Sequence, residues 1–366
     1  MPLSNFDPGA YRALLDRKVR AVTSLMAPLS PPEPAVFASA PEGYRLRAEF
    51  RMWHDGDALD YVMFRRDDPR TPVPIQAFPI ACEAIQQLMP VLLDRLRNNV
   101  ALRRKLFQVE FLSTLAGETL VSLIYHRRLD ETWEHAAQAV AGELGIALVG
   151  RSRKQKIVLT RDYVQEQLTI LGRDYAYRQY EQAFTQPNGR VNIHMIEWAC
   201  RQAADLDGDL LELYCGNGNF TLPLSRHFDR VIATELSKTS IRAARENIAA
   251  NQIDNIEMIR LSAEEVTQAL NGEREFRRLA DLPQPLADYD LRTLFVDPPR
   301  AGLDDRTVQM AARFPRILYI SCNPVTLAQN LTALGATQRI EQFALFDQFP
   351  YTDHMECGVL LRARTA

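Results

Sequence analysis

From Val191 onward, short apolar runs alternate with segments whose apolar residues recur at helical spacing. The runs are Leu210–Leu213, Arg230–Thr234, Ile256–Leu261, Leu291–Val296 and Ile317–Ile320, each bounded by turn or helix signals and separated by a crossover's length. A strand covered on both faces is apolar throughout instead of alternately, so the pattern predicts an α/β fold with a mostly parallel, doubly wound sheet. A helix over Val191–Ala204 leads into it. Two further runs, Ile340–Leu345 and Cys357–Leu361, are joined by Phe346–Glu356, which has no helical period, so this last pair is expected to be antiparallel.

The first half is patterned differently. Residues 10–27 have helical spacing, and the proline-rich stretch Pro28–Pro41 then reads as a linker. Tyr44–Trp53 alternates, Asp55-Gly56 marks a turn and Leu59–Phe64 is the return strand of a hairpin. A helix over Cys82–Arg97, a second hairpin of Leu106–Leu112 with Leu120–Tyr125, a helix over Asp130–Leu144 and a strand near Ile157 complete an α+β unit. The expected division is an N-terminal α+β region over 1–180, including the first helix and the linker, and an α/β domain over 181–366, with Phe184–Asn188 at the passage.

A chain of 366 residues supports two such cores. No apolar run approaches the roughly 18 to 20 residues that span a bilayer, and no secretory pattern opens the chain, so a cytoplasmic protein away from membranes is expected. Cys82, Cys200, Cys215, Cys322 and Cys357 lack the spacing of a disulfide framework or zinc site and are expected to be free thiols, with no metal bound. Charge is uneven. Residues 1–180 hold 24 basic against 21 acidic residues, and 181–366 hold 19 against 25. The first half is therefore the expected polyanion surface, with clusters at Arg103-Arg104-Lys105 and from Arg151 to Arg161; a solvated face is the plain alternative for either.

Ligands of a doubly wound sheet bind at the carboxyl ends of its strands. After the first strand comes Cys215-Gly216-Asn217-Gly218-Asn219, then a helix expected near Phe220 whose first amides are unpaired. Glu235 follows the second strand, about twenty residues on, where a carboxylate accepts both hydroxyls of an adenosine ribose. That acid suits NAD and S-adenosylmethionine alike. The loop separates them, because Thr221 stands where a pyrophosphate cradle has its third glycine, which favours a ligand without pyrophosphate. The plain alternative is that Asn217-Gly218 only makes a tight turn.

Asp297-Pro298-Pro299-Arg300 follows the fourth strand. Two prolines fix an extended, donor-poor backbone that suits a wall for a flat base, although a loop terminator looks the same. Asp297 is placed to meet a cofactor or a base edge. Cys322, within Ser321-Cys322-Asn323-Pro324, follows the fifth strand at the same edge. Its thiolate is a soft nucleophile, and the positive end of the helix expected from Pro324 is expected to lower its pKa. A lone cysteine in an apolar context is more often a buried small residue; its place at a strand end argues otherwise.

Together, Phe184–Asn188 with Gln186, Glu212–Phe220, Asp297–Arg300, Ser321–Pro324 and His354–Cys357 resemble the RNA (uracil-5-)-methyltransferases over nearly the whole chain. Glu49–Gly56 and Phe346–Gly358 are similar to the branch acting on tRNA, and the four-cysteine iron–sulfur motif typical of the ribosomal branch has no counterpart, since only Cys82 precedes Cys200. The resemblance implies a Rossmann-like, S-adenosylmethionine-dependent domain behind an RNA-binding region. By it, Cys322 attacks C6 of the T-loop uridine (tRNA position 54), C5 takes the methyl group, and Glu356 removes the C5 proton to release ribothymidine. The same resemblance assigns Gln186, Tyr214, Asn219, Glu235 and Asp297 to the cofactor; Tyr214 and Phe220 serve equally well as core aromatics. A base within a stacked loop must be extruded to reach such a site. Arg47, Arg51, Phe107 and the Arg151–Lys156 cluster are the candidate contacts to the tRNA T-arm, or to another RNA with a similar loop. A monomer is the default expectation. A non-catalytic RNA-binding protein would share the basic surface but would not need Cys322 with Glu356.

Overall fold

A computed structural model describes residues 6–56, 58–65 and 68–364. Along the first half run α1 (Tyr11–Met26), β1 (Ala35–Phe37), β2 (Arg47–Asp55), β3 (Ala58–Phe64), β4 (Pro72–Pro74), α2 (Glu83–Arg97), α3 (Val100–Arg103), β5 (Leu106–Ser113), β6 (Thr119–Tyr125), α4 (Glu131–Leu144), β7 (Ala147–Ser152), β8 (Gln155–Val158), β9 (Tyr163–Ile170) and β10 (Arg173–Tyr180). The second half adds α5 (Gly189–Ala203), β11 (Asp209–Leu213), α6 (Thr221–Leu224), β12 (Val231–Thr234), α7 (Lys238–Ala250), β13 (Ile256–Ile259), α8 (Ala263–Leu270), β14 (Leu291–Val296), α9 (Asp305–Ala311), β15 (Arg316–Ser321), α10 (Pro324–Leu334), β16 (Gln338–Phe346) and β17 (Glu356–Ala363). No helix among the described residues is long and apolar enough to cross a membrane.

The chain forms two compact units. One holds Ala40–Gln167 and Arg178–Gly189 with the described residues up to Gly9; the other holds Ala10–Ser39, Leu168–Tyr177 and the described residues from Arg190 onward.

In the first unit the described residues build a seven-stranded sheet in the order β4-β3-β2-β5-β6-β7-β8, antiparallel except where β6 meets β7. Alternation in β2 turns Ala48, Phe50 and Met52 inward and Glu49, Arg51 and Trp53 outward, so one face needs a cover. α2 supplies Ile85, Met89, Leu92 and Leu96 at helical spacing, and α4 supplies Trp133, Ala137, Val140 and Ala141. α4 starts where the Asp130 carboxylate accepts the Trp133 amide at 2.9 Å, and it stops at Gly145, whose φ of 64° closes the helix. The fully buried Trp133 lies directly over Gly150 of β7, where a Cβ would stand 2.1 Å from its ring.

In the second unit an eight-stranded sheet runs β1-β16-β17-β15-β14-β11-β12-β13 among the described residues. β11 lies between β12 and β14, both parallel to it, so the winding reverses at the carboxyl ends of β11 and β14. One face carries a core drawn from α1, α8, α9 and α10; the other packs α5 and α7 with the hairpin tip of β9 and β10, residues Leu168–Tyr177. The seven predicted strands all form, the doubly wound fold is realised, and β17 runs antiparallel to both β15 and β16.

The expected boundary at residue 180 needs correction. α1 carries an apolar stripe of Tyr11, Leu15, Val22 and Met26 that is buried in the core of the α/β unit, so the first helix belongs with the second half of the chain. The proline-rich linker is likewise not free: Ala35–Phe37 pair in parallel with Ala344–Phe346 as an edge strand, a role that proline's extended backbone tolerates. β7, β9 and β10 are further strands that the apolar pattern does not reveal.

Gly150→Ala is expected to lower unfolding free energy by about 1 to 3 kcal/mol, because Trp133 has no room to retreat. Urea unfolding followed by tryptophan fluorescence measures it.

Candidate active site

The β-ladder places three of the predicted residues in a row. Leu213 is opposite Thr234 in β12 and opposite Val296 in β14, so Tyr214, Glu235 and Asp297 are the next residues past the ends of three adjacent strands. Strands in a sheet are about 4.8 Å apart, which sets the spacing of the row. Tyr214, Gly216 and Gly218 have φ of 62°, 58° and 86°, so the loop turns left-handed at alternate residues. A Cβ on Gly218 would stand 2.5 Å from Leu222, whereas one on Gly216 would meet nothing within 4 Å. The first glycine thus leaves open space above the loop and the second permits its packing.

The loop is held from several sides. The Glu235 carboxylate accepts the Gly216 amide at 3.1 Å, the Leu236 amide at 2.8 Å and the Ser237 amide at 2.7 Å. Asn219 and Asn192 exchange side-chain hydrogen bonds of 2.9 Å in each direction, the Tyr177 hydroxyl donates to the Asn219 carbonyl at 3.1 Å, and Asn247 donates to the Asn217 carbonyl at 2.9 Å. Asn192 is not legible in the sequence as a site residue, since only α5 packing brings it there. Phe220 is buried against Phe295 with ring centroids 4.9 Å apart, which makes it the core aromatic of the two. Tyr214 is half-buried, and burial followed by the charge of Asp304 pushes its pKa up to about 12.

Two further acids give the row its electrostatic character. Glu212 is fully buried; burial pushes its pKa up to about 8, the Thr221 hydroxyl works against that shift and Asp297 adds to it. Burial raises Asp297 to about 7. A buried carboxyl is costly unless something cationic or hydrogen-bonding completes it. In the sequence Glu212 reads only as the start of the loop motif.

The predicted nucleophile and base meet through the last strand. Ser321 of β15 and Cys357 of β17 are the last pair of their antiparallel ladder; Cys322 and Glu356 are the next residues on either side of it, near enough that the Glu356 charge acts on the thiol. Glu356 is buried; burial first, then Asp297, raises its pKa to about 8, while Arg300 pulls it down. The Cys322 thiol is pushed up to about 11 by burial, then by Glu356 and Asp297, again opposed by Arg300. The expected lowering of its pKa is therefore not realised: α10 does begin there, with Asn323 as N-cap and Pro324 in its first turn, but burial and two carboxylates outweigh that end. Asn323 and Thr326 also bond the Arg300 carbonyl at 2.9 and 3.2 Å, tying the Asp297–Arg300 loop to the cysteine loop. Cys322 opens into a cavity of about 310 Å³ walled by Ala21, Val22 and Leu25 of α1, by Arg300, and by Asp353 and His354.

Gln186 falls in the first unit, half-buried in the segment between β10 and α5. Among the predicted RNA contacts there, Arg47 is a strut, its guanidinium donating to the carbonyls of Ala183, at 2.7 Å, and Glu181. Arg151 and Lys156 are committed as well, Arg151 to Glu181 at 2.8 Å and Lys156 to Asp162 at 2.7 Å. Arg51 lies 3.8 Å over the Phe107 ring, which stacks on His126 at 3.9 Å. Phe107 and His126 line a concave cavity of about 970 Å³ with Arg127, Arg128, Arg153 and Lys154, the last two exposed at the β7–β8 turn. Among the described residues no group of His, Cys, Asp or Glu has the arrangement of a metal site.

Comparison with known proteins shows the family. Residues 10–364 match the model of the tRNA (uracil-5-)-methyltransferase family. Over 364 residues the chain is 57% identical to the tRNA/tmRNA (uracil-C(5))-methyltransferase of Aromatoleum aromaticum, covering 100% of this chain and 98% of that protein, and 55% identical to that of Dechloromonas aromatica, covering 100% of both. The crystal structure of Pyrococcus abyssi tRNA (uracil-54, C5)-methyltransferase, in complex with S-adenosyl-L-homocysteine, superposes with a TM-score of 0.73 at 20% identity, over 96% of this chain and 83% of that one, and shares the fold. With a match along nearly its entire length and relatives this similar, the chain belongs to the tRNA (uracil-5-)-methyltransferase family.

Proposed function

We propose that this tRNA uracil-C5 methyltransferase acts on the T-loop uridine at position 54 through a covalent adduct between Cys322 and C6 of the base. The observation that carries the reading is that Cys322 and Glu356 flank the last pair of the β15–β17 ladder while Cys322 opens into a cavity. C5 of uracil is a poor nucleophile. Addition of the Cys322 sulfur to C6 leaves C5 electron-rich and able to take an electrophilic methyl group. The methylated carbon still bears its hydrogen, and the adduct is a dead end until a base removes it. Glu356 takes that proton, the C5–C6 double bond re-forms, and the C6–S bond breaks with its electron pair to return the Cys322 thiolate.

When bound, S-adenosylmethionine supplies the methyl group from a sulfonium centre. The chain's residues fit such a group: Asp297 and Glu235 bring two carboxyls past the ends of β14 and β12, on either side of the glycine loop, and the space over Gly216 is open. Glu235 would hold its ribose, with Tyr214, Asp297 and Asn219, whose side chain Asn192 fixes, as the other residues to hold it; Gln186 is the fifth residue proposed for the cofactor. tRNA phosphates bind the first-unit cavity through Arg153 and Lys154, and Arg51 with Phe107 offers a stacking platform. The uridine is flipped from its stack to reach Cys322. The relatives' names include tmRNA, and a T-like loop in that RNA presents the same target.

With labelled S-adenosylmethionine, an unmodified tRNA transcript is expected to accept methyl groups, while the same transcript with position 54 changed to cytidine does not, and Cys322→Ala abolishes transfer. Tight, denaturant-stable trapping on 5-fluorouridine tRNA is expected for the parent protein and not for Cys322→Ala; a parent protein that fails to trap would remove the covalent mechanism.

Glu356→Gln is expected to slow product release by about 10²- to 10⁴-fold while adduct with ordinary tRNA accumulates. Because the base works only when ionised and its pKa is raised to about 8, single-turnover release should climb as pH rises toward 8 and then level. A rate flat from pH 6 to 9 contradicts that role.

Arg153→Ala and Lys154→Ala are each expected to raise KM for tRNA with kcat unchanged, and to reduce the slope of log affinity against log salt by roughly 0.7 to 0.9 for each phosphate no longer neutralised.

A further inference from the structure

α1 carries a lysine where its stripe should be apolar. Lys18 lies between Leu15 and Val22 on the buried face and is only 6% exposed. Its ammonium donates to the carboxylate of Asp347, itself 1% exposed, and to the Phe349 carbonyl at 3.1 Å. Burial lowers the pKa of Lys18, and Asp347 works against that shift. A buried ion pair is a poor way to gain stability compared with apolar packing, so its placement calls for another account.

Asp347 is the first residue after β16, and Glu356 is the first residue of β17. The connection between them therefore starts at the Lys18 pair and ends at the base. Lys18 grips it at two points, a side chain and a main-chain carbonyl two residues on. Other contacts continue the hold: the Asp347 amide donates to the Phe37 carbonyl at 2.9 Å, Tyr11 of α1 packs near Tyr351 with ring centroids 6.1 Å apart, and the Thr352 hydroxyl donates to the Phe349 carbonyl at 2.8 Å. Tyr351 itself sits at φ 61°, a conformation a bulky residue keeps only when its surroundings impose it. Asp353 and His354, further along, wall the cavity of Cys322 opposite Ala21, Val22 and Leu25, which follow Lys18 on the same helical face. One helix thus walls the cavity into which Cys322 opens and clamps the segment that leads to Glu356.

We propose that Lys18, through its buried pair with Asp347, is a positioning residue for proton removal: it sets the 347–355 connection so that Glu356 stands at C5 of the adduct. The proposal rests on the covalent mechanism above. It separates the two halves of the reaction, because the backbone of Cys322 is fixed between β15 and α10, whereas Glu356 follows directly on the connection.

The test follows both halves in the full-length protein with unmodified and 5-fluorouridine tRNA. Lys18→Met should trap 5-fluorouridine tRNA at nearly the parent rate, yet release methylated ordinary tRNA about tenfold to a hundredfold more slowly, so that denaturant-stable adduct accumulates. Lys18→Arg, which keeps the charge and the donors, should restore much of the release rate. Because Lys18→Met strands a buried carboxylate and can unfold the chain, Lys18→Met with Asp347→Leu is made alongside: it removes both charges, recovers thermal stability and should still accumulate adduct. Normal release in that double variant, or trapping and release slowed in equal proportion, overturns the proposal by reducing the pair to a structural one. A parent protein that traps no 5-fluorouridine tRNA overturns the covalent mechanism and this proposal together; a trapping parent beside a Lys18→Met variant that partitions as the parent does overturns this one alone.

Discussion

Everything at the site depends on β17 running against its neighbours. The strands that bear Tyr214, Glu235, Asp297 and Cys322 all end at one edge of the sheet, and a parallel β17 would begin at the other. Because β17 is antiparallel to β15, its first residue lies at the edge where β15 ends, and an acid at the start of one strand stands near a thiol past the end of another. The register is tightly set: β17 is buried on both faces through Cys357–Leu361, and its partners β15 and β16 constrain it from two sides. A slip by one residue would turn Glu356 to the other face and leave a carboxylate in the core.

The same edge gathers acids whose ionisation is suppressed. Glu212, Asp297 and Glu356 are all raised, chiefly by burial and, for Glu212 and Glu356, also by Asp297, while Arg300 is the cation that opposes this at Glu356 and Cys322. Such a cluster responds to charge. A cation among the carboxylates favours their ionised forms. For the thiol the logic is reversed, since each newly ionised carboxylate makes its thiolate harder to form. The arrangement therefore serves proton removal more readily than attack, and the approach of Arg300 to the cysteine loop gains importance for that reason.

Much of this is legible in the residues. The central strands announce themselves because burial on both faces makes them continuously apolar, and the glycine loop, Glu235, Asp297 and Cys322 can be placed by their position just past strand ends. Environments are less visible. The pKa of Cys322 is decided by burial and by Glu356 and Asp297, which arrive from other strands, so a reading based on the local helix end takes the wrong sign. Arg47 and Arg151 count as surface charge until the fold brings Glu181 and its carbonyl beside them. β9 and β10 alternate apolar and polar residues and carry several charges, which hides them from a search for apolar runs. Most hidden of all is α1: its stripe shows that it must be buried but not against what, and Lys18 looks like an interruption when it is a contact.

The partners in the Lys18–Asp347 pair are separated by 329 positions along the chain. β1 likewise pairs with β16, and most of the first unit, Ala40–Gln167, is spliced between these early residues and the sheet they complete. Contacts that close so long a loop form late, because the entropy of closure must be met before they reward it. The interposed unit has its sheet and helices within one nearly continuous stretch and is free to mature while the chain is still being made. The α/β unit is not: its first helix and edge strand wait, apolar faces uncovered, until the two C-terminal strands have left the ribosome. The site's geometry thus waits on β16 and β17, and α1 is a segment that stays uncovered until they are made.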